Sequence, residues 1–259
     1  MNNRRSIYIL LTALLVGGFF LPGCNKENSP SPAAVTSLNV VNALPTSAPL
    51  ILVQGSIVQE IGHFYGIGAL SYGTTAVLAP KSGSETLYAL QKDADTSSVT
   101  AQGGGYMFNS VLNFTAGNLY SLFIAGADTS NPDYLFLQDT ITSRTDSTAG
   151  IRFVNLSAGS NPVSIDIEGQ AYGGVVPVLA YKGVTDFMSF PATSAISSYI
   201  FEFRDAVSGN LLSRYTLSGV NTHSPTVANT VLFRNLTIAL IGQPAGGTVA
   251  QTCIRVNSF

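Results

Sequence analysis

Near its middle the sequence reads Asn161-Pro162-Val163-Ser164-Ile165-Asp166-Ile167-Glu168-Gly169, and apolar and polar residues alternate strictly from Val163 to Glu168. Successive side chains of a β-strand point to opposite faces, so this pattern predicts a strand. Its three apolar residues should face a core, and its polar residues should face water. Proline and glycine bound the run, as turn residues do. The segment favours an all-β fold.

Similar short apolar runs recur along the chain between clusters of turn-forming residues. They occupy residues 38–41, 50–53, 86–90, 120–124, 199–204 and 252–256. In one of them three aromatic residues, Tyr199, Phe201 and Phe203, fall on a single face. No long stretch has a helical period. Short strands with frequent turns predict a sandwich or barrel rather than alternating strands and helices.

The chain also repeats itself. Val40-Val41-Asn42 precedes a turn and a segment ending at Gly55, and Phe153-Val154-Asn155 precedes a turn and the segment ending at Gly169. Residues 120–126 likewise parallel residues 236–242. A sandwich of the immunoglobulin type needs about 100 residues, which suits this spacing. The sequence therefore predicts two tandem immunoglobulin-like antiparallel β-sandwiches, over residues 36–140 and 149–259, joined by a polar linker over 141–148.

The N-terminal segment has the three zones of a secretory signal. Residues 1–6 are polar and include Arg4 and Arg5, residues 7–20 are uncharged and apolar, and Leu21-Pro22-Gly23-Cys24 follows. A basic start, a short apolar core and a small residue before the cut define such a signal. The apolar run is shorter than the roughly 20 residues of a bilayer-spanning helix. We expect a signal peptide over residues 1–23 and a flexible tether, rich in Ser, Pro and Asn, over 24–35.

The residues before Cys24 resemble the lipobox of bacterial lipoproteins, an aliphatic, a variable and a small residue followed by cysteine. This resemblance implies that Cys24 carries lipid and that the chain has a membrane as its partner through that anchor. An ordinary signal peptide with a chance cysteine is the alternative. Cys24-Asn25-Lys26-Glu27 is similar to the signals that send Bacteroidetes lipoproteins to the outer face of the outer membrane. A surface-exposed protein is therefore expected, with a periplasm-facing placement left open.

Charge and cysteine content narrow the function classes. The formal net charge is −2, and removal of residues 1–23 changes it to −4 because two arginines leave. No basic stripe is present, so nucleic acid is not an expected partner. The second cysteine, Cys253, lies in an alternating run, where a buried and inert thiol is expected.

Several of these patterns together resemble one family. A strand ending in Val-Asn, a turn with proline, an alternating strand ending in Gly and a later Tyr-x-Leu before Gly are similar to the domain-of-unknown-function 4397 family. The resemblance covers both halves and implies an extracytoplasmic immunoglobulin-like sandwich, with no known activity. The tripeptides at Asp139 and Asp146 also resemble the O-glycosylation sequon of Bacteroidetes, which implies Thr140 and Ser147 as candidate modification sites.

Residues for catalysis or metal binding are sparse. The two histidines, His63 and His223, have no partner at metal-ligand spacing, and no nucleophile elbow is present. Acidic pairs occur at Asp93 with Asp95 and at Asp128 with Asp133, where turn roles are favoured over calcium binding. The sequence designates no pair of carboxylates for glycoside hydrolysis. We therefore expect no enzyme, metal or cofactor.

Two tyrosines in glycine-rich segments are the candidate ligand contacts. Tyr106 follows Gly103-Gly104-Gly105, and Tyr172 precedes Gly173-Gly174. A tyrosine on a flexible loop can stack on sugars or peptides, although it can also cover the end of a sandwich. The main hypothesis is a surface spacer or adhesive lipoprotein that binds a glycan or protein. The alternatives are a carbohydrate-capture lipoprotein of an uptake system and, less favoured, an extracytoplasmic hydrolase.

Overall fold

The computed structural model describes residues 36–55, 69–91, 106–222, 226 and 228–258, and this part of the chain is all-β, as predicted. All of it belongs to one compact unit. The strands are β1 (Ser37–Asn42), β2 (Leu50–Gln54), β3 (Thr75–Leu78), β4 (Gly83–Gln91), β5 (Tyr106–Phe114), β6 (Leu119–Gly126), β7 (Pro132–Asp139), β8 (Thr148–Asn155), β9 (Val163–Ile167), β10 (Val176–Leu179), β11 (Met188–Pro191), β12 (Ser198–Asp205), β13 (Leu211–Ser218), β14 (Asn235–Ile241) and β15 (Thr252–Ser258). The described residues contain no helix that is both long and apolar enough to cross a membrane.

The strands form four sheets, two in each half of the chain. The first half has the orders β3-β1-β6-β7 and β2-β4-β5, and the second half has β11-β8-β14-β15 and β10-β9-β12-β13. The sheets are mostly antiparallel, as predicted, but β1 pairs with β6 and β8 pairs with β14 in parallel. Corresponding strands occupy corresponding positions, so the repeat seen in the sequence is also a repeat of topology.

A buried asparagine ends the first strand of each half. Asn42 and Asn155 are both fully buried, and each is paired with the same position of its parallel partner strand. The Oδ1 atom of each accepts the backbone N–H two residues further on, at 3.1 Å. The Nδ2 atom donates to a distant carbonyl, that of Leu70 at 3.0 Å or Leu179 at 3.1 Å. Because buried backbone groups need partners, these side chains stabilise the turn that follows each strand.

Two glycines of the repeat are required by the backbone. Gly126 ends β6 with φ of 131°, and Gly242 follows β14 with φ of 94°. A side chain at either position would clash with a carbonyl oxygen, that of Asn131 or that of Ala250. Both the left-handed φ and the close approach favour glycine, which explains why the sequence repeats it.

Each half encloses its own core between its two sheets. The core of the first half includes Leu38, Val40 and Leu122, and that of the second half includes Ile151, Phe153 and Phe201. The aromatic face predicted for β12 is confirmed, since Phe201 and Phe203 are buried and Tyr199 packs against the same core.

One prediction about β9 was wrong. Val163 and Ile165 enter the core as expected, but Ser164 and Asp166 are buried as well, at 0% and 3% exposure. Gly174 donates its N–H to the Asp166 carboxylate at 3.1 Å, and Arg204 lies opposite Ser164 in the sheet. The second face of β9 is therefore covered by the segment that leads into β10 and by charged residues of β12.

A third core joins the two halves. The inner strands β1, β6, β8 and β14 send alternate residues into their own half and into the space between the halves. The shared core includes Val41, Phe123, Val154, Ala239 and Ile241. The four sheets consequently stack as layers, with the two central sheets packed face to face.

A buried ion pair lies in the same interface. Arg152 of β8 binds Asp139 of β7 at 2.5 Å, and the side chains of both are at most 5% exposed. The guanidinium also donates to Ser121 at 3.0 Å and to Thr237 at 2.7 Å, and it lies 4.7 Å from the ring centre of Phe187. Its charge and its donors are thus satisfied by residues from both halves.

Candidate functional site

A cleft of about 590 Å³ opens at one end of the second half. Three connections meet there: residues 159–161 between β8 and β9, residues 205–210 between β12 and β13, and residues 243–251 between β14 and β15. The volume lies in the range of about 300–1,000 Å³ that is typical of small-molecule sites. Because rigid strands present all three connections, the cleft is the candidate functional site of the described residues.

The cleft wall is rich in neutral hydrogen-bonding groups. Its polar side chains are those of Ser160, Asn161, Asp205, Ser208, Asn210, Gln243 and Gln251. Leu211, Leu212, Pro244 and Ala245 add apolar surface. Among these described lining residues, Asp205 is the single ionisable one. The wall is therefore suited to an uncharged polar ligand with apolar patches.

The Asp205 carboxylate is committed to its own turn. Its Oδ1 accepts the N–H groups of Val207 and Ser208, each at 2.8 Å, and its Oδ2 accepts Asn161 Nδ2 at 2.9 Å. These hydrogen bonds, led by that from Ser208, lower the pKa of Asp205. The group consequently stays anionic and shapes the turn, because each bond favours the charged form.

The amides of the cleft divide into structural and free groups. Gln243 donates to the carbonyl of Ala127 and accepts the N–H of Val249, both at 2.9 Å. Gln251 donates to Ser157 at 2.9 Å. Within the described residues, the Asn210 side chain and the oxygens Asn161 Oδ1 and Gln251 Oε1 have no protein partner. These three groups can bond a ligand without breaking the fold.

Tyr172 lies beside the cleft, on the loop between β9 and β10, as the sequence predicts. Its side chain is 53% exposed, and its hydroxyl donates to the carbonyl of Asp205 at 3.0 Å. A side chain on Gly209 would touch the Tyr172 ring. The exposed ring is thus fixed against the same turn that forms one wall of the cleft.

Tyr106 has a different environment. It is the first residue of β5 rather than a loop residue, and it is half-buried. Its ring lies 5.8 Å from that of Tyr88, in an apolar cluster on the first half. The structure does not bring Tyr106 and Tyr172 together, and Tyr106 does not line the cleft. Gly103–Gly105 lie outside the described residues.

The predicted modification sites are partly within the described chain. Thr140 and Ser147 are both exposed, on either side of the segment that joins the halves. Ser147 has a left-handed backbone, with φ of 56°. Glycosylation of either residue stays a prediction. Cys24 lies outside the described residues.

The acidic residues considered for metal binding have other partners where they are described. Asp128 accepts the N–H groups of Ser130 and Asn131, as turn residues do. Asp133 binds Lys182 at 2.9 Å. Burial alone would raise the pKa of Asp133, but the contacts from Lys182 and Tyr134 lower it overall. The other candidates lie outside the described residues, namely Asp93, Asp95, His63 and His223. The described residues contain no group of three metal-ligating side chains.

Cys253 is partly buried, whereas the sequence predicts a buried thiol. It lies in β15 and packs against the core of the second half. Burial raises the pKa of the Cys253 thiol to about 12, although a hydrogen bond with Ser213 acts in the opposite direction. Since the thiolate is the reactive form, this cysteine is protected from reaction at neutral pH.

Sequence reasoning missed the cleft, and Tyr172 as a ligand contact stays a prediction. Its polar residues come from three separate connections, near residues 160, 208 and 245, and each reads as an ordinary turn. The predicted second sandwich, residues 149–259, contains all three connections, but no pattern in the sequence predicts that they meet.

The chain matches no family model, and no curated protein sequence matches it. Among solved structures, it is similar to CBMbc, a family CBM26 module from Eubacterium rectale Amy13K in complex with maltoheptaose. That likeness has a TM-score of 0.26 and 9% identity and covers 86% of this chain and 97% of the other. A structure of family 41 carbohydrate-binding modules from streptococcal virulence factors, which recognise α-glucan, gives a TM-score of 0.26 at 11% identity, covering 85% and 96%. Likenesses at this level define neither a shared fold nor a ligand.

Proposed function

We propose that this protein is a non-enzymatic binding module whose cleft captures a neutral glycan. The observation that carries the proposal is the cleft wall, where free amide groups stand beside the exposed ring of Tyr172 and no uncommitted charge is present. A sugar hydroxyl can donate a hydrogen bond to an amide oxygen or accept one from an amide N–H group. The C–H face of a sugar packs on an aromatic ring. One glycan residue can use both kinds of surface at once.

The composition of the cleft also supports a role without catalysis. Glycoside hydrolysis by the common mechanisms needs two carboxyl groups placed across the bond that breaks. The described lining offers only Asp205, which its turn already holds in the anionic form. Binding requires neither a general acid nor a nucleophile.

A second candidate function is a surface spacer or adhesive protein. The observation that favours it is the shared core between the halves, which fixes two sandwiches into one body. Both proposals place the protein on the outer membrane through lipid on Cys24, supported by the lipobox sequence. The cleft adds a specific recognition surface, so we favour glycan capture, which suits an uptake system.

Binding to a panel of immobilised neutral glycans, followed by calorimetry on each hit, tests the proposal. We expect Asn210→Ala and Tyr172→Ala each to weaken binding about tenfold, since one hydrogen bond or one ring contact contributes roughly 1–1.5 kcal/mol. The matched controls are Asn109→Ala and Tyr134→Ala, exposed residues of the first half, which should bind like the unaltered protein. If no glycan of the panel binds, or if all four variants bind equally well, the cleft is not a glycan site. Release of cleaved glycan would refute a non-enzymatic role.

A further inference from the structure

A second cavity lies at the opposite end of β14 from the cleft. Its volume is about 230 Å³, and it is bordered by residues 228–230, the start of β14 and the end of β15. Two arginines, Arg234 and Arg255, line it, and no acidic residue is among the described lining residues. This composition is the reverse of that of the neutral cleft.

The side-chain amide oxygens that line this cavity are already used by the fold. Asn229 Oδ1 accepts two backbone N–H groups, at 2.7 and 2.8 Å. Asn235 Oδ1 accepts from Arg144, and Asn257 Oδ1 accepts Arg255 Nε at 2.8 Å. The charged groups that face a ligand are therefore the two guanidinium groups.

The remaining donors are strong ones. Arg234 is exposed, and although its backbone bonds Val231 and Gly150, its guanidinium makes no hydrogen bond or ion pair with the described residues. The Arg255 guanidinium donates from Nε to Asn257 and from Nη2 to the carbonyl of Thr230, at 2.7 Å, and Tyr215 is a further side-chain neighbour. These partners are neutral, so its positive charge has no acidic partner among the described residues. A guanidinium binds carboxylate or phosphate in a bidentate manner, and such charge-assisted bonds are about twice as strong as neutral ones.

Positive charge collects at this end of the half. Four cations of the described residues make no ion pair within 4 Å, namely Lys81, Arg144, Arg234 and Arg255. Arg144 lies against the same feature, because its Nε donates to Asn235, which lines the cavity. Three arginines therefore surround the start of β14 in a protein whose net charge is −2, and only Arg144 among them has a carboxylate of the described residues, that of Asp146, close enough to interact with its charge.

We propose that this cavity binds a small oxyanion, a carboxylate or a phosphate group, through Arg234 and Arg255. The cavity is smaller than the roughly 300–1,000 Å³ of sites that enclose drug-sized ligands. It therefore holds a single anionic group, such as that of an acidic sugar residue, rather than a long polymer. The cleft and this cavity differ in position and in charge. The proposal of glycan binding and the proposal of oxyanion binding can therefore be refuted independently.

The test is titration of the purified protein with sodium glucuronate, inorganic phosphate and neutral glucose, followed by calorimetry or by NMR shifts of arginine Nε–H groups. We expect at least one of the two anions to bind and glucose not to bind. Arg234→Gln with Arg255→Gln should weaken anion binding at least tenfold. Rising salt should weaken it as well, because exposed charges are screened. Preference for glucuronate or for phosphate identifies the source of the oxyanion.

Arg214→Gln is the matched control, since Arg214 is an arginine of the same half that already binds Glu202 at 2.6 Å. It should leave anion binding unchanged, and thermal melts should show that every variant is folded. Binding of neither anion by the unaltered protein would overturn the proposal. Equal binding of glucose, or full binding by the double variant, would overturn it too.

Discussion

At the scale of single residues, the molecule depends on polar side chains that replace missing backbone partners. Asn155 is fully buried and connects the end of β8 to the carbonyl of Leu179 and to the N–H of Ser157. Asn42 makes the equivalent pair of bonds in the first half. The two asparagines of the repeat therefore make the same hydrogen bonds, and neither is merely a residue type suited to turns.

Replacement of Asn155 by alanine should be costly for this reason. The carbonyl of Leu179 and the N–H of Ser157 lose their partner, and each unsatisfied buried group costs about 1–3 kcal/mol. We expect Asn155→Ala to lower the free energy of unfolding by roughly 2–4 kcal/mol in urea titrations. The exposed control Asn109→Ala should change it by less than about 0.5 kcal/mol. Similar losses for the two variants would show that the buried bonds contribute little.

At the scale of elements, the outer face of β12 is held by charges. Glu202 is 5% exposed, and it accepts bonds from Arg204 at 2.7 Å and from Arg214 at 2.8 Å. The hydrogen bond from Arg204 is the main cause of a lowered pKa for Glu202, while burial acts against it and Arg214 adds to it. Arg204 also lies 3.8 Å from Asp166 of β9, so the adjacent strands β9, β12 and β13 are linked by side chains as well as by their backbones.

This lowered pKa makes stability depend on pH. Because the folded pKa of Glu202 lies below its unfolded value of about 4.5, its contribution is complete above that pH and is lost as pH falls through the folded pKa. We expect Glu202→Gln to lose less stability than the unaltered protein between pH 7 and pH 3, measured by urea unfolding. Arg204→Gln should reduce the pH dependence in the same way. Parallel pH profiles for all three proteins would contradict this role.

The buried face of a strand was predictable where only one of its faces packs against a core. The alternation at Val163 and Ile165 and the three aromatics of β12 gave the correct inner faces. Asp166 did not follow the pattern, because its burial depends on Gly174 and on Arg204, which alternation within β9 does not describe. The cleft was not predictable for a related reason, since its groups come from three distant turns.

At the scale of the whole molecule, the central interface decides how the halves behave. Strand β14 is buried along its full length, and so is β6 apart from its first residue, Leu119. One face of each strand packs in the core of its own half, and the other face packs between the halves. Continuous apolar runs such as residues 122–125 and 238–241 are typical of strands covered on both faces. These apolar runs correctly predicted strands, but they did not show that the second face of each strand packs against the other half of the chain.

The buried pair of Arg152 and Asp139 should make this interface essential. Arg152→Met leaves an unpaired buried carboxylate, so we expect a loss of roughly 3–5 kcal/mol in the free energy of unfolding. Adding Asp139→Leu should restore much of the loss, since the lone charge is removed. At the exposed pair of Lys182 and Asp133, Lys182→Met should cost only about 0–1 kcal/mol. Equal losses for Arg152→Met and Lys182→Met would contradict the assignment.

The parallel pairing of the first strand in each half also governs the order in which the chain can fold. Ser37 pairs with Leu119, and Gly150 pairs with Asn235, more than 80 residues further along. During synthesis from the N-terminus, β1 can pair with β3 as soon as residue 78 has left the ribosome, but its parallel neighbour β6 emerges only later. Contacts this distant in sequence slow folding, because a long loop must close before they form. Each half therefore emerges almost entirely before it can close, and its apolar strands need protection during that interval.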